Sequence, residues 1–180
     1  MKPTEELVRE HKAIKMMLRI MKNLADSISA GNEVDTGDLK DIIHFLKVFA
    51  DQCHHGKEET ALFPALVAAG LPEKTGPIAV MLEDHTIGRK YIKEIEIALA
   101  GHVTGQPNNP LADGLIRYVN HLHGHILKED SILFPMADRM LNADRQTELN
   151  ILFDKIEKDV IGQGVHEQFE ALLERLDNKY

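Results

Sequence analysis

The sequence has very little cysteine: a single residue, Cys53, in a chain of 180. One thiol excludes an intrachain disulfide and a zinc site built from cysteines. Basic residues are also scarce, with 21 lysines and arginines against 29 acids and a formal net charge of −8, so the basic surface of a nucleic-acid-binding protein is missing. No apolar run approaches the length of a membrane span, and the first residues do not resemble a signal peptide. We therefore expect a cytoplasmic protein that binds neither nucleic acid nor membrane.

Glycine and proline, at 12 and 7 residues, are too few for a collagen-like or low-complexity chain. The apolar fraction of 43% and the charged fraction of 28% are typical of a globular protein. Histidine is the residue in excess, because the chain has ten where average usage supplies about four. The positions of these histidines are therefore informative.

Apolar residues recur at helical spacing along the whole chain, and no alternating run of β-branched residues indicates a strand. The pattern predicts four long helices and two shorter ones, at about residues 5–29, 38–69, 77–99, 111–141, 143–160 and 165–177. The modest loops predict that successive helices are antiparallel. We therefore predict an all-α fold, an up-down-up-down four-helix bundle at residues 1–142 with additional C-terminal helices, residues 143–180, packed on it.

The chain repeats the pattern H-x-x-K-E-[ED]-x-x-L-F-P. The first copy runs from His54 to Pro64 and the second from His125 to Pro135. Upstream, the pair Glu10-His11 in the first predicted helix matches the pair Asp84-His85 in the third. The chain is therefore predicted to contain two copies of one helical hairpin. Placed face to face, the hairpins bring four histidines to one level of the bundle: His11, His54, His85 and His125.

His54 and Glu58 are four residues apart, as are His125 and Glu129, so each pair projects from one face of a helix. Both pairs lie on the stripe that should face the core, where they would be very costly to bury without a compensating metal ion. Imidazole and carboxylate without thiolate suit iron, manganese or zinc. Two carboxylates with two oxygens each suit bridging between two metals. The sequence therefore predicts a dinuclear site with six ligands: His11, His54, Glu58, His85, His125 and Glu129.

A fifth histidine ligand has two candidates. His55 lies about 100° around the helix from His54, and Glu58 falls between the two. This position would give each metal one histidine beside the bridging glutamate, which favours His55 as a ligand. The alternative is His121, one turn before His125 on the same helical face.

The pattern of His11, His54-x3-Glu58, His85 and His125-x3-Glu129, with its two Leu-Phe-Pro extensions, resembles the hemerythrin-like (HHE cation-binding) domain family over roughly residues 4–142. The resemblance implies a four-helix bundle that holds a non-haem di-iron centre, two Fe ions bridged by Glu58, Glu129 and an oxo or hydroxo oxygen from solvent. Two octahedral irons offer about twelve positions. The bridges and five histidines leave about one of these open, which is enough for O₂, NO or peroxide.

The sequence departs from the oxygen carriers of this family at two positions. The carriers have a second histidine four residues after the first in the third helix, where this chain has Arg89. They also have an aspartate five residues after the histidine of the fourth helix, where this chain has Glu129 four residues after. Neither departure affects the prediction of a metal site. Lys15 and Arg89, four residues after His11 and His85, are predicted to extend their charges to solvent.

The function that the resemblance implies is binding or sensing of O₂, NO or peroxide at an open iron position. The alternative is a di-iron enzyme that reduces peroxide or NO or repairs iron centres under stress, or an iron-handling protein. A structural bundle with incidental metal affinity is a third interpretation. A stand-alone sensor would act through a protein partner, and no motif of the sequence identifies one.

Overall fold

Helices account for the architecture of the computed structural model, which describes residues 1–160, 162 and 165–180. The α-helices are α1 (Pro3–Ser29), α2 (Thr36–Phe45), α3 (Phe63–Ala68), α4 (Gly76–Ala100), α5 (Pro110–Lys128), α6 (Phe134–Met140), α7 (Ala143–Val160) and α8 (Val165–Asp177). Three π-helical segments continue them: π1 (Leu46–His55), π2 (Glu58–Leu62) and π3 (Glu129–Leu133). The described residues form no strand. None of the described helices combines the length and hydropathy that crossing a bilayer requires.

Four antiparallel helical rods form the bundle: α1, residues 36–68, α4 and residues 110–140. The helix α5 contacts both α1 and α4, and π1 also contacts both, so the rods enclose a central core. The second rod begins where the Asp35 side chain accepts a hydrogen bond from the Gly37 N–H. It ends before Gly70, whose φ of 109° is open to glycine alone. The prediction of an all-α four-helix bundle with additional C-terminal helices is confirmed.

The second and fourth rods widen where they reach the middle of the bundle, although the sequence predicted plain α-helices there. The Phe63 N–H donates to the carbonyl of Glu58, five residues back, and the Phe134 N–H donates in the same way to Glu129. Each phenylalanine is followed by a proline, which lacks an N–H and crowds the carbonyl four residues before it. A π-type turn relieves this crowding. The Leu-Phe-Pro motif therefore places a widened turn at each glutamate.

A polar layer divides the hydrophobic core into two clusters. The larger cluster includes Leu24 of α1 and Phe45 of α2, and the smaller one includes Leu7 of α1 and Leu62 of π2. His11 lies on α1 between the residues that belong to the two clusters. The predicted metal ligands are therefore held between two apolar blocks.

The C-terminal helices pack against the outside of the bundle and contribute to both clusters. The helix α7 contacts α1, π1 and π2, and α8 contacts α1 and α2. Phe153 of α7 belongs to the smaller cluster and Phe169 of α8 to the larger one. Asp38 of α2 accepts hydrogen bonds from Arg175 and Lys179. The core therefore includes residues beyond the four rods.

Replacing Phe153 with alanine should lower the free energy of unfolding by about 3–5 kcal/mol, because the buried ring would leave a cavity between α7 and the bundle. Ile151→Ala is the matched control: this residue of α7 is 65% exposed, and its loss should change the free energy by less than about 0.5 kcal/mol. Chemical denaturation of both variants provides the measurement. Equal, small losses would show that α7 is not part of the core.

Candidate metal centre

Seven side chains, each no more than 5% exposed, meet at one level of the bundle. Their ligand atoms form two groups, and within each group all atoms lie within 4.8 Å of one another. We name these the two-histidine group (His11, His54, Glu58 and Glu129) and the three-histidine group (His55, Glu58, His85 and His125). The structure thus brings together every residue that the sequence predicted as a metal ligand, and Glu58 belongs to both groups.

Within each group, two imidazole nitrogens face each other. The Nε2 atoms of His11 and His54 are 3.0 Å apart, and those of His85 and His125 are 3.2 Å apart. Two lone pairs at this distance would repel, so one nitrogen of each pair must carry a proton in the metal-free protein. A metal ion between them would displace that proton and accept both lone pairs.

The two glutamates of the layer reach both imidazole pairs. Each has an oxygen near one Nε2 atom of each pair: Glu58 lies 3.9 Å from His54 and 3.3 Å from His85, and Glu129 lies 3.2 Å from His11 and 3.3 Å from His125. All four carboxylate oxygens are buried, and none has a hydrogen-bond partner among the described residues. Such groups are costly to bury unless a cation satisfies them. The residues present therefore fit a pair of metal ions.

Crowding in the layer shifts the protonation of its groups. Burial, together with the charge of the other glutamate, raises the pKa of Glu129 to about 7. Burial alone would lower the pKa of His11 and His85, but the hydrogen bonds that they donate to Asp130 and Glu59, together with the negative charges of Glu58 and Glu129, raise both values to about 9. Burial and the positive charge of neighbouring imidazoles hold the pKa of His54 and His55 well below the usual value. The metal-free layer therefore holds protons that a metal ion would displace.

A carboxylate lies behind each of the five imidazoles, a role that the residue spacing did not indicate. Each Nδ1–H donates to one carboxylate: His11 to Asp130 at 2.7 Å, His54 to Glu10 at 2.7 Å, His55 to Asp51 at 3.3 Å, His85 to Glu59 at 2.6 Å and His125 to Asp84 at 3.3 Å. These bonds fix the tautomer that leaves Nε2 free and make it a stronger donor to a metal. The repeat carried the signal for four of the five: Glu10 and Asp84 each precede a histidine, and Glu59 and Asp130 each follow a motif glutamate, whereas Asp51 has no counterpart in the second copy.

Each of the five carboxylates also accepts a hydrogen bond from a cation. The pairs are Lys57 with Glu10, Lys128 with Asp84, Lys15 with Asp130, and Arg89 with both Asp51 and Glu59. Lys15 and Arg89 extend to solvent as predicted, with side chains 44% and 42% exposed, and each also pairs with acids of this set. The lysine of the repeated motif has the same role in both copies. Imidazole, carboxylate and cation thus follow one another outward from the layer.

His121, the alternative fifth ligand, lies outside both groups. Its Nε2–H donates to the backbone carbonyl of Asp84 at 2.8 Å, so this nitrogen already has a partner. The Nε2 atom of His55, by contrast, is buried without one, and the His55 ring stacks on His85 with 3.9 Å between the ring centroids. The geometry therefore favours His55 over His121.

Comparisons with known proteins agree with this arrangement. The family model of the hemerythrin HHE cation-binding domain matches residues 2–137. Uncharacterized proteins from Mycobacterium bovis and from two strains of Mycobacterium tuberculosis are each 25% identical over 162 residues, which is 89% of this chain and 63% of theirs. The chain thus spans less than two thirds of the length of these relatives. No solved structure gives a significant match.

The metal-free protein should lose stability as the pH rises from about 6.5 to about 9. The pKa of His11 and of His85 is about 9 in the folded chain, against 6.5 for an unperturbed histidine. The folded state therefore binds these protons more tightly, and the resulting stabilisation is complete below pH 6.5 and is lost as the pH passes 9. Glu129, with its pKa raised from 4.5 to about 7, acts in the same direction.

Thermal unfolding at pH 6.5 and pH 9 measures this effect, and the metal-free protein should have the lower Tm at pH 9. The iron-loaded protein is the control, because bound metal keeps the same histidines deprotonated at both pH values. An equal Tm of the metal-free protein at the two pH values would contradict the expected proton binding.

Proposed function

Because the chain belongs to the hemerythrin HHE cation-binding domain family, we propose that its buried layer holds two non-haem iron ions and binds or senses O₂, NO or peroxide. Five imidazoles and two carboxylates without a thiolate suit iron. The observation that carries the proposal is the uneven division of the histidines, three in one group and two in the other, around a shared Glu58. If Glu58 and Glu129 both reach the two metals, the three-histidine group supplies five protein ligands and the two-histidine group supplies four.

The ligand count supports one open position. Two six-coordinate ions offer about twelve positions. Bridging by Glu58 and Glu129 would fill four, a bridging solvent ligand two, and the five histidines five. The position left over belongs to the two-histidine group, because its imidazoles are those of His11 and His54, whereas the other group has three.

Buried apolar side chains restrict what could reach that position. The Phe134 ring stacks on His11 with 5.4 Å between the ring centroids. Leu62 and Leu133, four residues after the two glutamates, are no more than 1% exposed. These walls exclude bulk water and favour ligands of a few atoms. When bound, a pair of irons supplies the capacity to bind or reduce such ligands.

The carboxylates behind the imidazoles keep this site rigid. Each His Nδ1–H is held by an acid, and each acid is held by a lysine or arginine. The rings therefore stay oriented toward the layer when a ligand enters or leaves, which favours repeated, reversible binding.

The oxygen reactivity of the reduced, iron-loaded protein tests the proposed function. Metal analysis should first give two irons per chain, and one or none after anaerobic reconstitution would contradict the dinuclear site. Binding or sensing of O₂ predicts a stable oxy spectrum that reverses when O₂ is removed. The same test with NO identifies a preference between the two gases. Rapid irreversible oxidation with turnover of peroxide would overturn the binding role and support the enzymatic alternative.

Substitution of the two candidate histidines should have different effects. His55→Ala removes the unpartnered Nε2 atom of the three-histidine group, so we expect an altered iron absorption spectrum and iron retention weakened by at least about tenfold. His121→Ala removes only a donor to a backbone carbonyl, so both properties should stay close to those of the unmodified chain. The measurements are iron stoichiometry after dialysis against a chelator and the visible spectrum. The reverse result would assign the fifth ligand to His121.

A further inference from the structure

Lys57 connects the C-terminal helix α7 to the metal centre. This lysine is 0% exposed, and its ammonium group donates to Glu10 at 2.5 Å, to Glu6 at 2.6 Å and to Glu157 at 3.0 Å. Glu157 belongs to α7 and lies beyond residues 2–137, which the family model matches. Because Glu10 accepts from His54, three hydrogen bonds lead from α7 to a proposed iron ligand.

The second copy of the repeat has no equivalent of this connection. Its lysine, Lys128, pairs with Asp84, which in turn accepts from His125. The Lys128 side chain is 40% exposed, so water screens this pair. Lys57 and Glu10 are only 0% and 7% exposed, so this pair is screened much less, and a change in the charge that reaches it is transmitted more strongly. The helix α7 therefore makes the surroundings of the two groups unequal.

We propose that Glu157 is a positioning residue that tunes the two-histidine group through Lys57, Glu10 and His54. This inference rests on the proposed di-iron function. Lys57 donates to three carboxylates, so only part of its positive charge acts on Glu10. The stronger its interaction with Glu10, the more weakly Glu10 accepts from the His54 Nδ1–H. A more strongly held Nδ1–H makes Nε2 a better electron donor to a metal and favours the ferric state. The charge on Glu157 therefore helps to set the reduction potential of the centre.

Removing the charge of Glu157 should shift the reduction potential of the centre in one direction. Without the charge of Glu157, Lys57 concentrates its own charge on the two remaining carboxylates, so Glu10 becomes a weaker acceptor. His54 then donates less electron density, and the reduction potential of the centre rises. Removing the positive charge of Lys57 has the opposite effect, because Glu10 then keeps its full negative charge. A contact that only attached α7 to the bundle would change the Tm and leave the potential unchanged.

Glu157→Gln is the deciding variant. Glutamine keeps the length and an oxygen that accepts from Lys57, and the position is 36% exposed, so the fold should be preserved. We expect two irons per chain, a reduction potential more positive than that of the unmodified chain, and iron release to a chelator faster by about threefold to tenfold. Only one of the two iron signals in the Mössbauer spectrum should shift, because the effect is transmitted through His54 alone.

Two further variants complete the test. Glu148→Gln is the matched control: it also removes one negative charge from α7, but its partner is Arg145 and both side chains are 59% exposed, so the potential should not change. Lys57→Gln should shift the potential in the opposite direction to Glu157→Gln, and a shift in the same direction would overturn the inference.

Two results would separate failure of the inference from failure of the proposed function. A Glu157→Gln protein with two irons and the potential of the unmodified chain would overturn the role of Glu157 and leave the di-iron function standing. An unmodified chain that holds fewer than two irons would overturn both.

Discussion

Two glutamates buried without a hydrogen-bond donor are the constraint on which the rest of the structure depends. The four oxygens of Glu58 and Glu129 have no partner among the described residues, and they lie between two apolar clusters. The fold accommodates them by surrounding them with imidazoles, by widening the helix at each glutamate, and by leaving the carboxylates free to accept metal ions. A bound metal ion would therefore compensate the free energy lost by burying these carboxylates. The stability of the fold should then depend on bound metal and on pH.

The charges around this layer alternate in sign with distance from its centre. Each imidazole donates to an acid, and each acid accepts from a lysine or arginine. Such alternation limits the field at the surface while preserving it at the centre, because each outer charge neutralises the one inside it. The most buried of the outer cations, Lys57, needs a third acid, which α7 supplies as Glu157. The C-terminal helices are therefore linked to the layer electrostatically as well as through the apolar core.

The sequence predicted the four rods and the members of the polar layer because both depend on the spacing of residues that are close together in the chain. Helical periodicity located the rods, and the repeated motif located the histidines and glutamates. The widened turns at the two glutamates were not predicted, since each has five residues and changes the period over too short a stretch to disturb an apolar stripe. The ten-residue π1 was not predicted either. The burial of Lys57 was not predicted either, because its partners Glu6 and Glu157 lie 51 and 100 residues away in the chain. The choice between His55 and His121 depends on the partner of each Nε2 atom, because that of His121 donates to the Asp84 carbonyl and that of His55 has no partner among the described residues. Residue spacing does not show such a contact between two helices.

The two hairpins hold each other's histidines. Glu59, next to Glu58 in the first hairpin, accepts from His85 of the second, and Asp130, next to Glu129 in the second, accepts from His11 of the first. Reciprocal contacts of this kind are similar to those of an isologous interface, in which two equivalent patches contact each other. The polar layer thus lies between two similar halves of one chain, which residues 69–75 connect. Neither hairpin orients its own first histidine, so the site exists only where the two halves have docked.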